Sequence, residues 1–105
     1  MLRMKEGVSI AGIRPELSVG LSIADGVFAK RGRDCVVTSG VEGEHMKGSK
    51  HYVGLAADLR KRHLPGGMDA EVVVELRRDL GADFDVVLKP THIHIEFDPK
   101  AGPSG

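Results

Sequence analysis

The sequence predicts a small α+β domain in which helices pack on one face of an antiparallel sheet. Two segments have the apolar spacing of amphipathic helices: residues 15–31, and the segment from Met68 to the stop at Gly81. Four short segments are typical of strands: residues 34–40, 53–60, 84–89 and 92–98. Helices and strands in this order, with the last two strands forming an antiparallel pair, favour that architecture.

Both helices are indicated by apolar residues three or four positions apart. The first helix begins at Pro15, which suits a first helical turn, and Gly32 suits its end. Its apolar positions are Leu17, Leu21, Ala24 and Phe28. The second helix has the same kind of spacing, at Met68, Val72, Val73, Leu76 and Leu80.

The strand segments alternate with a period of two, which assigns their side chains to faces. In residues 53–60, one face carries Leu55, Ala57 and Leu59 and the other carries Gly54, Ala56 and Asp58. In residues 92–98, one face carries Ile93, Ile95 and Phe97 and the other carries His92, His94, Glu96 and Asp98. The apolar faces must pack on the core, so the histidines lie on the opposite face or in a cleft above it.

Length and charge limit the classes of function. The 105 residues suit one domain, over 1–98, followed by a flexible tail over 99–105. Fifteen basic and fifteen acidic residues are interspersed and cancel, which argues against nucleic acid or an anionic membrane as a partner. No segment has the apolar length of a signal peptide or a membrane span, so we expect a monomer that is cytoplasmic as synthesised. Cys35 lies in an apolar run and predicts a buried, inert thiol.

A metal site is one interpretation of the polar residues on the two alternating strands. A catalytic zinc ion needs about three nitrogen or oxygen ligands and one open position, and His51, Asp58 and His94 supply such a set if the two strands are close. The small residues Gly54 and Ala56 leave room for an ion beside the carboxylate. The alternative is that Asp58 pairs with Arg60, two positions further on the same face, and that no metal binds.

A resemblance to a known family favours the metal. The spacing Ser-x-His-x-x-Gly-x-Ala-x-Asp runs from Ser49 to Asp58, and His92-Ile93-His94 follows it. This pair of motifs resembles the zinc-dependent murein peptidases, which include D-alanyl-D-alanine carboxypeptidases and phage L-alanyl-D-glutamate endolysins, and the related hedgehog signalling domain. The resemblance covers residues 34–98, and the surrounding sequence is most similar to the compact phage and prophage members.

The resemblance implies a role for each matching residue. His51, Asp58 and His94 would be the zinc ligands, in a cleft over the sheet. His92 would lie beside the metal and contact the oxyanion or the zinc-bound water. For His45 and Ser49, substrate contact and a structural role in the loop both remain open.

One position departs from the family pattern. The family commonly has a glutamate general base a few residues before His-x-His, whereas this chain reads "VVLKPTHIH", with Lys89 at that place. Three interpretations remain open: an inactive zinc-binding relative, transfer of the role to Glu96 or His92, or participation of Lys89 in its neutral form.

The resemblance therefore implies a zinc metallopeptidase that cleaves peptidoglycan stem peptides. Its place of action would be the cell wall, reached by release or by phage delivery. The alternative is a noncatalytic zinc-binding domain of the same fold, used for structure or for binding a partner.

Overall fold

The computed structural model describes residues 1–41 and 54–99, which contain two helices and five strands. In chain order these are β1 (Leu2–Met4), α1 (Pro15–Ala29), β2 (Cys35–Ser39), β3 (Ala56–Arg60), α2 (Met68–Leu80), β4 (Phe84–Leu88) and β5 (His92–Phe97). The predicted α+β class is confirmed, and each helix and strand that the sequence predicts is present within a few residues of its expected limits.

The five strands form one mixed sheet in the order β1-β2-β3-β5-β4. Strands β2 to β5 pair antiparallel, but β1 pairs parallel with β2. The prediction of a purely antiparallel sheet is therefore wrong at this edge. The physical reason is that α1 lies between β1 and β2 and returns the chain to the same end of the sheet, which makes the two strands parallel.

The core lies between the helices and one face of the sheet. Its sheet residues are the alternate, inward-facing positions of β2 to β5, and they form one buried cluster with apolar residues of both helices. The fully buried members include Leu17, Phe28, Val37, Leu59, Val72, Leu76, Ile93 and Ile95. The other face of the sheet, which we call the open face, carries the polar alternates of β3 and β5.

Both helices end close to the stop signals in the sequence. Helix α1 begins at Pro15 and ends at Ala29, two residues before the predicted limit. Helix α2 ends at Leu80 and is capped by Gly81, whose φ of 82° is a conformation that favours glycine and whose N–H donates to the carbonyl of Arg77. Neither helix combines the length and the apolar character that a membrane crossing requires, in the part of the chain that is described.

Candidate metal centre

Strands β3 and β5 are neighbours, as the metal hypothesis requires. In their antiparallel register Asp58 lies directly opposite His94, and Arg60 lies opposite His92. All four side chains belong to the open face, because Leu59 and Ile93 on either side of them are fully buried in the core. The alternation expected from the sequence therefore places Asp58 and both histidines in one cluster.

The donor atoms of this cluster converge on the Asp58 carboxylate. Its Oδ1 lies 2.8 Å from Nδ1 of His94 and 3.6 Å from Nε2 of His92. The other ring nitrogen of His92, Nδ1, is hydrogen-bonded to the hydroxyl of Thr91 at 3.0 Å. The side chains of Asp58, His94 and His92 are 16%, 18% and 29% exposed, so the cluster is held by its surroundings but reachable from solvent.

Asp58 is not paired with the residue that the metal-free interpretation offered. Among the described residues, no ion pair joins Asp58 to Arg60, and the closest cationic or imidazole partner of the carboxylate is His94. Arg60 instead lines a cleft beside the cluster. The alternative in which Asp58 is explained by an ion pair with Arg60 is therefore not supported.

Glu96 holds the far side of the His94 ring. The Oε1 atom of Glu96 lies 2.9 Å from Nε2 of His94, so the imidazole bridges two carboxylates. The hydrogen bond to Asp58 raises the pKa of His94 above its ordinary value; burial opposes this effect and Glu96 adds to it. Strand alternation placed Glu96 and His94 on the same face, but it did not identify the hydrogen bond between them.

The donor chemistry of Asp58 and His94 fits zinc. Both ring nitrogens of His94 face carboxylate oxygens, so Nδ1–H donates to Asp58 and Nε2–H donates to Glu96. A metal would take the place of the proton on Nδ1, beside the Asp58 carboxylate. A carboxylate behind the second nitrogen of a histidine is the usual arrangement for histidines that ligate metals. The third predicted ligand, His51, and the predicted substrate contacts His45 and Ser49 lie outside the described residues.

Lys89 lies in the hairpin turn that joins β4 and β5. Its backbone N–H donates to the carbonyl of His92 at 2.8 Å, which places these two residues opposite each other. Val87 is the partner of His94 in the same hairpin, so alternation puts Lys89 on the open face as well. The side chain is exposed. The position at which the zinc peptidases that the sequence resembles commonly have a general base therefore borders the cluster, and here it carries an exposed lysine.

Gly54 is small for a different reason from the one the sequence suggested. It precedes β3, has a φ of 76°, and its carbonyl accepts a hydrogen bond from the N–H of Arg14 at 2.9 Å. A Cβ atom there would lie 2.5 Å from the carbonyl oxygen of Gly12 and 2.9 Å from Cα of Ile13. The expectation that Gly54 leaves room for an ion is wrong: the glycine allows residues 12–14 to approach the backbone.

A polar cleft adjoins the cluster at the His92 end of the open face. Its volume is about 320 Å³. Its described lining combines cations, hydroxyls and an imidazole: Lys5, Thr38, Arg60, Arg62, Thr91 and His92. The basic turn over residues 60–64 is visible in the sequence as a segment that could meet carboxylates, but the cleft as a whole is not, because its residues come from separate parts of the chain that only the sheet brings together.

The opposite end of the open face is acidic. Carboxylate oxygens of Asp85, Glu96 and Asp98 lie within 4.8 Å of one another. Acidic clusters of this kind are common without a bound cation, so we assign no metal to them. They do show that charge on the open face changes from basic to acidic along the strands, with His94 between the two ends.

Cys35 contributes no reactive group to this face. The residue is fully buried in the core, and burial raises the pKa of its thiol to about 12. A thiol in that environment stays protonated at neutral pH and is a poor nucleophile. The sequence expectation of a buried, inert cysteine is confirmed.

The comparisons with known proteins add no relative. No family model matches the chain, and neither the curated proteins nor the solved structures contain a match.

Proposed function

We propose that the protein is a zinc-dependent peptidase that acts on peptidoglycan stem peptides, of the D-Ala-D-Ala carboxypeptidase or L-Ala-D-Glu endopeptidase type. The observation that carries this proposal is the arrangement of Asp58, His94 and Glu96. One carboxylate and one imidazole nitrogen face each other at 2.8 Å, and a second carboxylate lies behind the ring. This arrangement supports the proposal, because metal-ligating histidines usually have a carboxylate behind their second ring nitrogen.

Each residue of the cluster has a distinct task in this proposal. Asp58 and His94 would hold the metal together with His51. Glu96 would keep the proton on Nε2 of His94, so that Nδ1 is the ligating atom. His92, whose Nε2 lies near Asp58, is placed to donate a hydrogen bond to the carbonyl oxygen of the scissile peptide bond. When bound, zinc supplies a water of lowered pKa and polarises that carbonyl.

Lys89 is the feature that favours a second candidate, a noncatalytic zinc-binding domain. A protonated lysine cannot accept the proton of the attacking water. A metal centre with a lysine at the position of the general base is therefore also what we expect of a noncatalytic domain that binds a partner. Glu96 is engaged with His94 at 2.9 Å, which makes it a poor replacement base. The two candidates share the metal and differ in hydrolysis.

The first test measures zinc in the protein purified without chelators. Both candidates require about one zinc per chain, lost when Asp58 and His94 are replaced together by alanine. A metal-free protein that also fails to take up added zinc would contradict both candidates.

The second test measures the release of stem-peptide fragments from purified peptidoglycan. The zinc-loaded protein is compared with the variant Lys89→Glu and with Arg33→Glu, which makes the same change of charge at an exposed residue between α1 and β2. Hydrolysis by the unchanged protein supports the peptidase. Hydrolysis only by Lys89→Glu supports the noncatalytic domain and identifies the lost base. No hydrolysis by any of the three contradicts the peptidase.

A further inference from the structure

We propose that the cleft beside His92 binds the carboxylate groups of an acidic peptide. The cleft is lined by three cations and two hydroxyls from four parts of the chain, with volume for more than a single ion. The assignment of the cleft as the substrate-binding part of a peptidase rests on the proposed function above. The assignment of the cleft as a site for acidic peptides does not depend on that function.

The charge of the cleft is uncompensated among the described residues. Lys5, Arg60 and Arg62 all line it, and none of them forms an ion pair within the described ranges. By contrast Lys61, between the two arginines in sequence, pairs with Asp69 at 3.4 Å. Cations that converge without an acid attract an anion, because each gains an opposite charge at short range.

The kinds of donor in the cleft favour carboxylates. The guanidinium groups of Arg60 and Arg62 present paired N–H donors that match the two oxygens of a carboxylate. The hydroxyls of Thr38 and Thr91 also line the cleft, but Thr38 donates to the carbonyl of Asp58 and Thr91 is bonded to Nδ1 of His92. Their oxygen atoms add polar surface, and the cations supply the donors. Thr38 lies on β2, Arg60 on β3 and Thr91 in the turn before β5, so the polar groups surround the space from different strands.

The volume favours a peptide over a small inorganic anion. The cleft is open to solvent and has a volume of about 320 Å³. One molecule of liquid water occupies about 30 Å³, and pockets for small organic ligands begin at about 300 Å³. A peptide fragment with two carboxylates would fit in this space and could meet more than one of the cations at once.

The position of the cleft connects it to the metal centre. His92 lines the cleft, and its Nε2 lies 3.6 Å from Oδ1 of Asp58. Arg60 is the register partner of His92 on the neighbouring strand. A carboxylate held by Arg60 would therefore place the adjoining part of the peptide next to the candidate ligands.

The experiment measures peptide binding in the absence of metal. The full chain is titrated with the dipeptide L-Ala-γ-D-Glu in chelator-containing buffer, and binding is followed by isothermal titration calorimetry and by backbone amide NMR shifts. The same titrations use the peptide with both carboxyl groups amidated, and inorganic phosphate. The variants are Arg60→Gln, Arg62→Gln and Lys5→Gln, with Arg78→Gln on the solvent side of α2 as the matched control. Thermal denaturation verifies that each variant is folded.

We expect the dipeptide to shift amides around the cleft and its amidated form to bind at least tenfold more weakly. Arg60→Gln and Arg62→Gln should each weaken binding about tenfold, since a hydrogen-bonded charge is lost, whereas Arg78→Gln should have no effect. Equal binding of the amidated peptide, or insensitivity to both arginine substitutions, would overturn the proposal. Phosphate binding as tightly as the dipeptide through the same arginines would also overturn it, in favour of a free-anion site. Binding of the dipeptide, together with no release of stem-peptide fragments from purified peptidoglycan by the zinc-loaded protein, would refute the peptidase and leave the cleft assignment standing.

Discussion

The carboxylate of Asp58 faces the imidazole of His94 across β3 and β5, with Oδ1 and Nδ1 2.8 Å apart. If this pair ligates zinc, Asp58→Asn removes the negative charge from the site while keeping the shape of the side chain. Changes behind a metal ligand typically lower affinity about 10–100-fold, so a change to the ligand itself should lower it by more than about 100-fold. Competition with a fluorescent zinc chelator measures the affinity.

Asp85→Asn is the control for that substitution, because it removes a carboxylate from the acidic end of the same face. It should leave zinc affinity within a few-fold of the original. Equal losses in the two variants would mean that general electrostatics, and not ligation, controls binding.

Substitution of Glu96 tests whether it positions the His94 ring. Glu96→Ala removes the acceptor for Nε2–H and should lower zinc affinity about 10–100-fold. Glu96→Gln keeps an acceptor oxygen and should lose less. Long-range proton–nitrogen NMR spectra report the tautomer of His94, which should be held with hydrogen on Nε2 in the zinc-bound protein and lose that preference in Glu96→Ala. An unchanged tautomer together with unchanged affinity would exclude a positioning role.

Gly54→Ala should destabilise the fold. The residue has a φ of 76°, and a Cβ would meet backbone atoms of Gly12 and Ile13 that cannot move aside as a side chain could. Strained backbone conformations cost about 1–3 kcal/mol, and the contact adds to this, so we expect a loss of about 2 kcal/mol or more in the free energy of unfolding. Urea denaturation followed by circular dichroism measures it.

Gly26→Ala is the matched control for Gly54→Ala. Gly26 lies within α1, and a Cβ there would have no neighbour within 4 Å among the atoms of the described chain outside its own helix. Alanine in a helix interior should stabilise by about 0.5–1 kcal/mol relative to glycine. Destabilisation of both variants to the same degree would refute the proposed backbone contact.

The ion pairs of Glu75 predict a pH-dependent part of stability. Lys30 and Arg31, just after α1, lie 2.6 Å and 2.9 Å from the Glu75 carboxylate on α2. The hydrogen bond from Lys30 has the largest effect on the pKa of Glu75, the one from Arg31 comes next, and both lower it. Because the folded pKa is below the ordinary value of 4.5, the stabilisation is present above pH 4.5 and is lost as the pH falls through the folded pKa. Glu75→Gln should therefore lower the melting temperature at pH 7.

The difference in melting temperature between Glu75→Gln and the unchanged protein should shrink as the solution is acidified below pH 4.5. Glu6→Gln is the comparison, since Glu6 is exposed and forms no ion pair within the described residues. A Glu75→Gln penalty that stays constant from pH 7 to the acid limit of folding would show that packing, and not the charge, is responsible.

Sequence periodicity predicted the parts of the fold that have a regular pattern. Alternation placed Asp58 and His94 on the same side of their strands, and β3 and β5 then paired so that the two residues are opposite each other. Strand β1, in contrast, has three residues, Leu2–Met4, which is too short for any period to be recognised. Its parallel pairing with β2 depends on the route of the chain through α1, which periodicity does not report.

The site was predictable only where it depends on single strands. The role of Gly54 depends on contact with residues 12–14, and the cleft depends on Lys5 meeting Arg60, so neither follows from local spacing. The carboxylate of Glu96 was assigned to the correct face, but its distance of 2.9 Å from His94 depends on side-chain rotamers. Long-range approach and rotamer choice are the two quantities that a single sequence leaves open.

The change of charge along the open face gives it a direction. Arg60 and Glu96 lie at opposite ends of the paired segment of β3 and β5, four residues of strand apart, which is roughly 14 Å at the usual rise per residue. Charge favours one orientation of a zwitterionic chain along this axis, with its negative end at the arginines and its positive end at the carboxylates. The sheet would thus select between the two possible polarities of a bound peptide before any side-chain pocket is filled.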